Sequence, residues 1–577
     1  MRALRIVLCG VGILATAAPV LLDAQAPNRA AAALPLKFVG PQTTGAITAR
    51  DLMTRLYRYA DDSMMGRLAG TPWNDKGTDF IASELQRLGL EPAGENGTYF
   101  QSALMKREVS SESSLSVNGK SYTLWTEFVP RDQGTVPRPL NGAVAVFGGT
   151  FGDTASYLAA DQAAGKVVVV RTGRGKDGAP DHNLINRFQL TNRYATAAAI
   201  AVVSVDYMPP GYVDAAFRSP GVQVKGEADT SRVPAYFYVT RALGAAMLGI
   251  DADSAKTGHV GTAVNGEIRV TQEEAPGRNV IGILRGSDPA LRGQYVAIGA
   301  HNDHIGFSRR PADHDSVKAF MQIAAPQGAD NDEPKPTAQD WARINALKDS
   351  LRAKHGARPD SIYNGADDDG SGSMSVIEIA ERFATAKIRP KRSILFIWHV
   401  AEELGLFGSQ YFTDHPTVPR DSIVAELNMD MVGRGTAKDA TGVTKDGAVL
   451  KGGPGYVQLV GARHLSTELG DLVEAVNRKQ RIGMRFDYSL DADGHPQNIY
   501  CRSDHYEYAR YGIPVVFMTT GGHADYHQVT DEPQYINYDR MAQISRLVHS
   551  TATEIANLGH RIVVDKPKPD PNGQCKQ

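Results

Sequence analysis

The stretch YVAIGAHND, residues 295–303, decides the fold: an uninterrupted run of apolar and small residues breaks abruptly into His301, Asn302 and Asp303. A strand with helices on both faces has no solvent side, so it reads as continuous apolar sequence instead of alternating. Working outward, NVIGILRG (279–286), SILFIWHV (393–400), IVAELNMDMV (423–432), YVQLVGA (456–462) and IPVVFMTT (513–520) read the same way. Between them SGSMSVIEIAERFATA has helical spacing at Met374, Ile377, Ile379 and Phe383. Strands alternating with helices predict an α/β fold, a doubly wound mixed sheet with helices on both faces.

Polar residues able to hold a metal recur where these strands stop. His301 and Asp303 end the first run, and Asp367, Asp368 and Asp369 sit in the turn NGADDDGSGS. Glu402 and Glu403 end ILFIWHVAEE, Asp430 lies in LNMDMVG, and His523 and His527 follow IPVVFMTTGG. Any one of these taken alone is most simply a turn residue, a helix cap or a satisfied histidine. Five segments together are another matter, because open α/β sheets bind ligands outside the carboxyl ends of their strands. Imidazole and carboxylate without thiolate suit zinc or a similar divalent ion. Neighbours on a strand face opposite ways, so Glu402 and Glu403 are expected to divide the work, one binding metal and the other acting as base. A carboxylate beside a metal-activated water fits hydrolysis of a carbonyl derivative such as a peptide bond.

The rest of the 577 residues sets limits. At roughly 150 residues per domain the chain holds more than one core. A net charge of −2 and the lack of a basic stripe argue against a nucleic-acid partner. Arg2 and Arg5, the apolar run Ile6–Leu22 and small residues at Ala24 and Ala26 read as a signal peptide over 1–24, with a membrane anchor as the alternative. Its removal leaves no long apolar run, so a protein free of the membrane, secreted or periplasmic, is expected. Cys9 goes with the signal; Cys501 and Cys575 either pair or leave a free thiol in the flexible tail expected over 561–577. The runs GAVAVFGG (142–149), KVVVVRTG (166–173) and AAIAVVSV (198–205) place a separate β-rich domain at about 127–260. Residues 45–126 and 261–560 are then the two parts of the main domain. A polar insert over 307–362 carries a helix from Thr337 to His355, with Trp341, Ile344, Leu347 and Leu351 on one face; it is either a surface excursion or a lid.

With these motifs in hand, GAHNDHIG, NGADDDGSGS, WHVAEELGLFGSQ, LNMDMVGR, SDHYEY and GGHADYHQ resemble family twenty-eight of the metallopeptidases, the di-zinc aminopeptidases related to glutamate carboxypeptidase. KVVVVRTG resembles the protease-associated domain many members carry inserted, and residues 66–101 resemble the opening of their peptidase domain. The resemblance implies two Zn2+ ions, with Asp367 bridging, His301 and Asp430 completing one site, and Glu403 and His527 the other. It implies Glu402 as general base and Asp303 as the carboxylate orienting His301, leaving His523 as a reserve ligand. It also implies a cis or strongly distorted peptide between Asp367 and Asp368. The expected activity is that of an exopeptidase on peptide or protein substrates, foremost an aminopeptidase. A carboxypeptidase, a glutaminyl cyclase, or an inactive receptor-like scaffold are the alternatives. Acidic side chains suit a free substrate amine, whereas a substrate carboxylate needs an Arg or Lys clamp, for which Arg434 and Arg502 are nearest in sequence and Arg309 or Arg310 of the insert are the alternatives. No oligomeric state is readable.

Overall fold

A computed structural model describes residues 34–577 apart from 104, 110–111, 132–137, 175–179, 181–186, 209–212, 214–221, 225–233, 270, 332–333 and 574. The expected signal peptide therefore lies outside the described residues. Among the described residues no helix is long and apolar enough to cross a membrane.

A nine-stranded mixed sheet forms the centre of the described chain, in the order Glu91–Pro92, Gly277–Leu284, Ser393–His399, Tyr295–His301, Ile423–Met429, Val515–Thr519, Tyr456–Val460, Arg485–Asp487; Phe100–Ala103 also pairs with Gly277–Leu284. The four middle strands, from Ser393–His399 to Val515–Thr519, are mutually parallel, so their carboxyl ends share one edge. Their unbroken apolar runs divide by parity. Val296, Ile298, Ala300, Ile394, Phe396 and Trp398 face one core, which also holds residues of the helices Ala49–Tyr59, Pro72–Arg87, Gly372–Ala384, Thr467–Gln480 and Tyr538–Asn557. Tyr295, Ala297, Leu395 and Ile397 face the other, with residues of the Phe407–Asp414 and His505–Ala509 helices. Trp398 is fully buried, and its indole N–H donates to the Ser373 carbonyl at 3.0 Å, satisfying its one polar atom against the covering helix.

The amino-terminal helix is tied in by charge as well as by Leu52 and Leu56. Arg55, 3% exposed, donates to Glu378 at 3.0 Å and also contacts Glu84 and Glu381. Burial pushes the Glu378 carboxyl up to about 7 against the pull of Arg55. Removing one partner of a buried ion group leaves the others uncompensated, so Arg55→Ala is expected to cost about 3–5 kcal/mol, read as an earlier urea midpoint.

A second nine-stranded sheet runs Lys120–Tyr122, Ser114–Val117, Val260–Ile268, Ala143–Thr150, Val167–Arg171, Ala199–Val203, Ala235–Val239, Phe128–Arg131, with Arg138–Pro139 pairing on Val260–Ile268. It takes in strands on both sides of the 127–260 window, because Ser114–Val117 and the end of Val260–Ile268 complete its ladder. The three runs that marked it in the sequence are its adjacent parallel strands.

The insert over 307–362 folds as a hairpin, Phe307–Asp313 with Pro359–Ile362, enclosing the helices His314–Ala324 and Ala338–His355. Thr337 caps the second helix through a capping box with Asp340, where the sequence places its start. Ile344 is buried, whereas Trp341 is half exposed and packs on Phe320 with ring centroids 5.8 Å apart.

The carboxyl-terminal segment, expected to be flexible, is tied down. Cys501 and Cys575 form a disulfide, and the Gln577 side chain donates to the Leu490 carbonyl at 2.6 Å and accepts from the Tyr500 N–H at 3.0 Å.

Candidate metal centre and cleft

Each motif reaches the sheet edge by a local break in its strand. The Ser393–His399 strand ends before Ala401, whose φ of 58° turns the chain, so Glu402 and Glu403 lie in a tight turn. Strand alternation therefore does not separate them, as the sequence reading assumed; the turn does. Met431, at φ 58°, likewise turns the chain just after Asp430. The Asp run precedes the Gly372–Ala384 helix, and the Gly372 N–H donates to Asp369 Oδ1 at 2.8 Å. Asp369 is a structural cap, also holding the backbone N–H groups of His301 and Met431.

Asp368 sits at the centre. Its Oδ1 lies 3.1 Å from His301 Nε2, and Asp430 Oδ1 is 3.7 Å from the same nitrogen. Its Oδ2 lies 3.0 Å from His527 Nε2 and 3.6 Å from His304 Nδ1. Glu403 completes that lobe, 2.9 Å from His527 and 2.6 Å from His304. The structure thus gathers His301, Glu403, Asp430 and His527, but around Asp368 and not Asp367, which corrects the expected bridging residue. Asp367 turns away: its Oδ1 accepts the Gly433 N–H at 2.6 Å and its Oδ2 lies 3.2 Å from His523. A Cβ at position 433 would stand 2.7 Å from that same oxygen, so glycine permits the approach. The cis peptide is displaced by the same single residue, joining Asp368 to Asp369. His523 pairs with Asp367, away from the centre.

Asp303 lies behind His301, with Oδ1 3.6 Å from Nδ1, and accepts the Glu402 N–H at 3.2 Å. Ser503 donates to Asp430 Oδ2 at 2.7 Å, and Asp531 accepts the N–H groups of both Asp367 and Asp368. Glu402 keeps a 12% exposed side chain at the cleft and stands 3.9 Å from His301. His304 and Ser503 were missed in the sequence. His304 was visible only as a second imidazole in the same strand-end loop, and Ser503 only as the first residue of SDHYEY, a motif to which no role was given.

The electrostatics follow from packing acids together. Burial, with Asp430 and Glu403 nearby, pushes the Glu402 carboxyl well above its usual range against the pull of His301. Burial would raise Asp368 too, but the His301 and His527 imidazoles beside it hold it well below the ordinary carboxylate range. Burial disfavours charge on His527, yet Glu403 and Asp368 push it up to about 11. Buried atoms that form no hydrogen bond cluster here: Asp368 Oδ2, Asp430 Oδ1 and His527 Nε2. Orphaned buried donors and acceptors are costly, so a cation between these atoms fits the site. Two ligand sets emerge, His301, Asp368 and Asp430 in one, His304, Asp368, Glu403 and His527 in the other, each with its atoms within 4.8 Å of one another. Asp368 belongs to both.

The cleft in front of them, about 610 Å³, is lined by Glu402 and these acids on one side and by Leu490, Ile499 and Phe517 elsewhere. Fold and site together define a doubly wound α/β protein with a two-lobed cluster of imidazoles and carboxylates around Asp368, at the carboxyl ends of its parallel strands. Residues 279–552 match the model of Peptidase family M28. The chain is 27% identical over 206 residues to leupeptin-inactivating enzyme 1 of Streptomyces exfoliatus, covering 35% of this chain and 40% of that one. It is 31% identical over 201 residues to leucine aminopeptidase 1 of Coccidioides posadasii, covering 33% and 47%. It thus spans about half or less of the length of these two relatives. Among solved structures it is similar to the aminopeptidase from Aneurinibacillus sp. strain AM-1, with a TM-score of 0.48, 16% identity and coverage of 91% and 97%. The zinc aminopeptidase of Bacillus subtilis gives a TM-score of 0.48, 16% identity and coverage of 89% and 96%.

Proposed function

We propose that this chain is an exported zinc-dependent exopeptidase, an aminopeptidase that releases residues from the free amino terminus of peptides. The observation that carries the reading is Asp368, whose two oxygens face separate sets of imidazole and carboxylate ligands. His301 and Asp430 would hold one Zn2+, Glu403 and His527 with His304 the other, and Asp368 would join both. Bound there, such a pair supplies Lewis-acid polarisation of the substrate carbonyl and a water acidic enough to attack at neutral pH. The chain's own residues do the rest. Glu402, 3.9 Å from His301, would take the proton of the water and return it to the departing amine. Asp303 orients the His301 ring through Nδ1, and Ser503 does the same for Asp430. A free α-amine carries a positive charge, which suits a cleft lined by Glu402, Glu403, Asp430 and Asp368. The second sheet is read as an inserted protease-associated domain, on the resemblance of its KVVVVRTG strand. The Cys501–Cys575 disulfide supports an oxidising, extracytoplasmic setting.

The test compares amino-acid release from a neutral unblocked tripeptide, its N-acetyl form and its carboxyl-terminal amide, with zinc supplied. The amide is expected to be cleaved at least as fast as the parent and the acetyl form to be nearly inert. Faster cleavage of the acetylated peptide than of the amide would replace this reading by a carboxypeptidase.

A further inference from the structure

Among the described residues lining the cleft, Arg502 is the one cation, and its fork is already paired. Its Nη1 and Nη2 each donate to Asp330, both at 3.0 Å, in a two-pronged pair, and Nη2 also reaches the Tyr526 hydroxyl at 3.2 Å. Asp330 does not come from the sheet. It belongs to the insert, in the turn between its two helices, and it too lines the cleft. The turn is held against the loop that carries His527: the Ala329 N–H donates to the Tyr526 carbonyl at 3.2 Å. Gly328, at φ 63°, makes this possible, since a Cβ there would stand 2.6 Å from the Tyr526 carbonyl oxygen. Lys318 of the insert adds a 2.5 Å contact to Asp525. Arg434, the other guanidinium near these motifs, is buried against Asp525 at 2.7 Å and is not among the residues lining the cleft.

We propose that Asp330 is a specificity-determining residue: by masking Arg502 it makes the cleft refuse substrate groups that carry a carboxylate. An arginine fork is the natural partner of a carboxylate, because its parallel N–H donors match the two oxygens. Here both prongs already hold one. A substrate carboxylate reaching this wall would have to displace Asp330 or sit beside its negative charge, and such a built-in repulsion discriminates as strongly as an attractive contact. The insert therefore acts as a selectivity element, and neutral groups pass. The refused carboxylate has two sources, an acidic side chain on the leading residue or the free carboxyl end of a dipeptide, and the experiment separates them. The inference rests on the aminopeptidase reading.

The test measures kcat/KM of the zinc-loaded full chain for two matched pairs, Glu-anilide against Gln-anilide and Leu-Leu against Leu-Leu-amide. In the wild type the acidic member of at least one pair is expected to be the poorer. Asp330→Asn should raise the acidic-to-neutral ratio in that pair by about tenfold or more. The double variant Asp330→Asn with Arg502→Gln should return the ratio to its wild-type level, since the fork that would accept the carboxylate is gone. The pair that responds identifies the source. A ratio unmoved within about twofold in both pairs, or equal loss of acidic and neutral substrates, overturns the assignment of Asp330 while leaving the aminopeptidase reading intact. A wild type that cleaves none of the four overturns both. A binding readout stands beside the rates: the variant should bind glutamate more tightly than glutamine relative to wild type, by calorimetry on the metal-free protein.

Discussion

Asp368→Ala is expected to abolish retention of both zinc ions, with total metal per chain falling to background by elemental analysis after gel filtration. Residues that merely support a ligand cost about 10- to 100-fold in metal affinity when removed, and a carboxylate shared by both ligand sets should exceed that range. Asp367→Ala is the informative companion. Its carboxylate is fully buried against the Gly433 N–H and His523, so its loss should appear as lowered stability with metal binding retained. Equal metal loss in both variants would mean that the Asp run is not divided as the geometry divides it.

Glu402→Gln is expected to lower kcat by about 10² to 10⁴ while leaving metal content unchanged, the range that general acid–base assistance supplies. Glutamine keeps the size and the position in the turn after Ala401 but cannot take a proton. Glu403→Gln should lower both activity and metal content, because Glu403 contacts His527 at 2.9 Å and His304 at 2.6 Å. A Glu402 variant keeping more than about a tenth of wild-type turnover would assign the base elsewhere.

The sheet was legible because burial on both faces leaves a signature in composition alone: YVAIGAHND and SILFIWHV admit no solvent side. The carboxyl-edge position of the site was legible for the same reason, since the polar break marks where burial ends. The register within NGADDDGSGS was not. Three consecutive aspartates share one side-chain chemistry, and only tertiary contacts distribute them: Gly433 and His523 take Asp367, His301 and His527 take Asp368, and the helix start takes Asp369. The separation of Glu402 from Glu403 was anticipated for the wrong physical cause, because a left-handed Ala401 leaves no mark in the sequence. Asp330 lies in a polar insert with no apolar pattern to place it, and its pairing spans 172 residues to Arg502.

The clamp formed by Cys501, Cys575 and Gln577 has a practical consequence for anyone handling this protein. Leu490 and Ile499, two apolar walls of the cleft, lie in the segment that the last residues of the chain hold in place, and Arg502 follows Cys501 directly. A dithiol reductant added as a routine preservative would act on the protein twice, competing as a chelator for the zinc proposed for the cleft and unfastening the strap behind the cleft wall. Only the first effect is reversed by restoring zinc; reoxidation is needed for the second. Activity measured in such buffers would describe a protein with a loosened cleft.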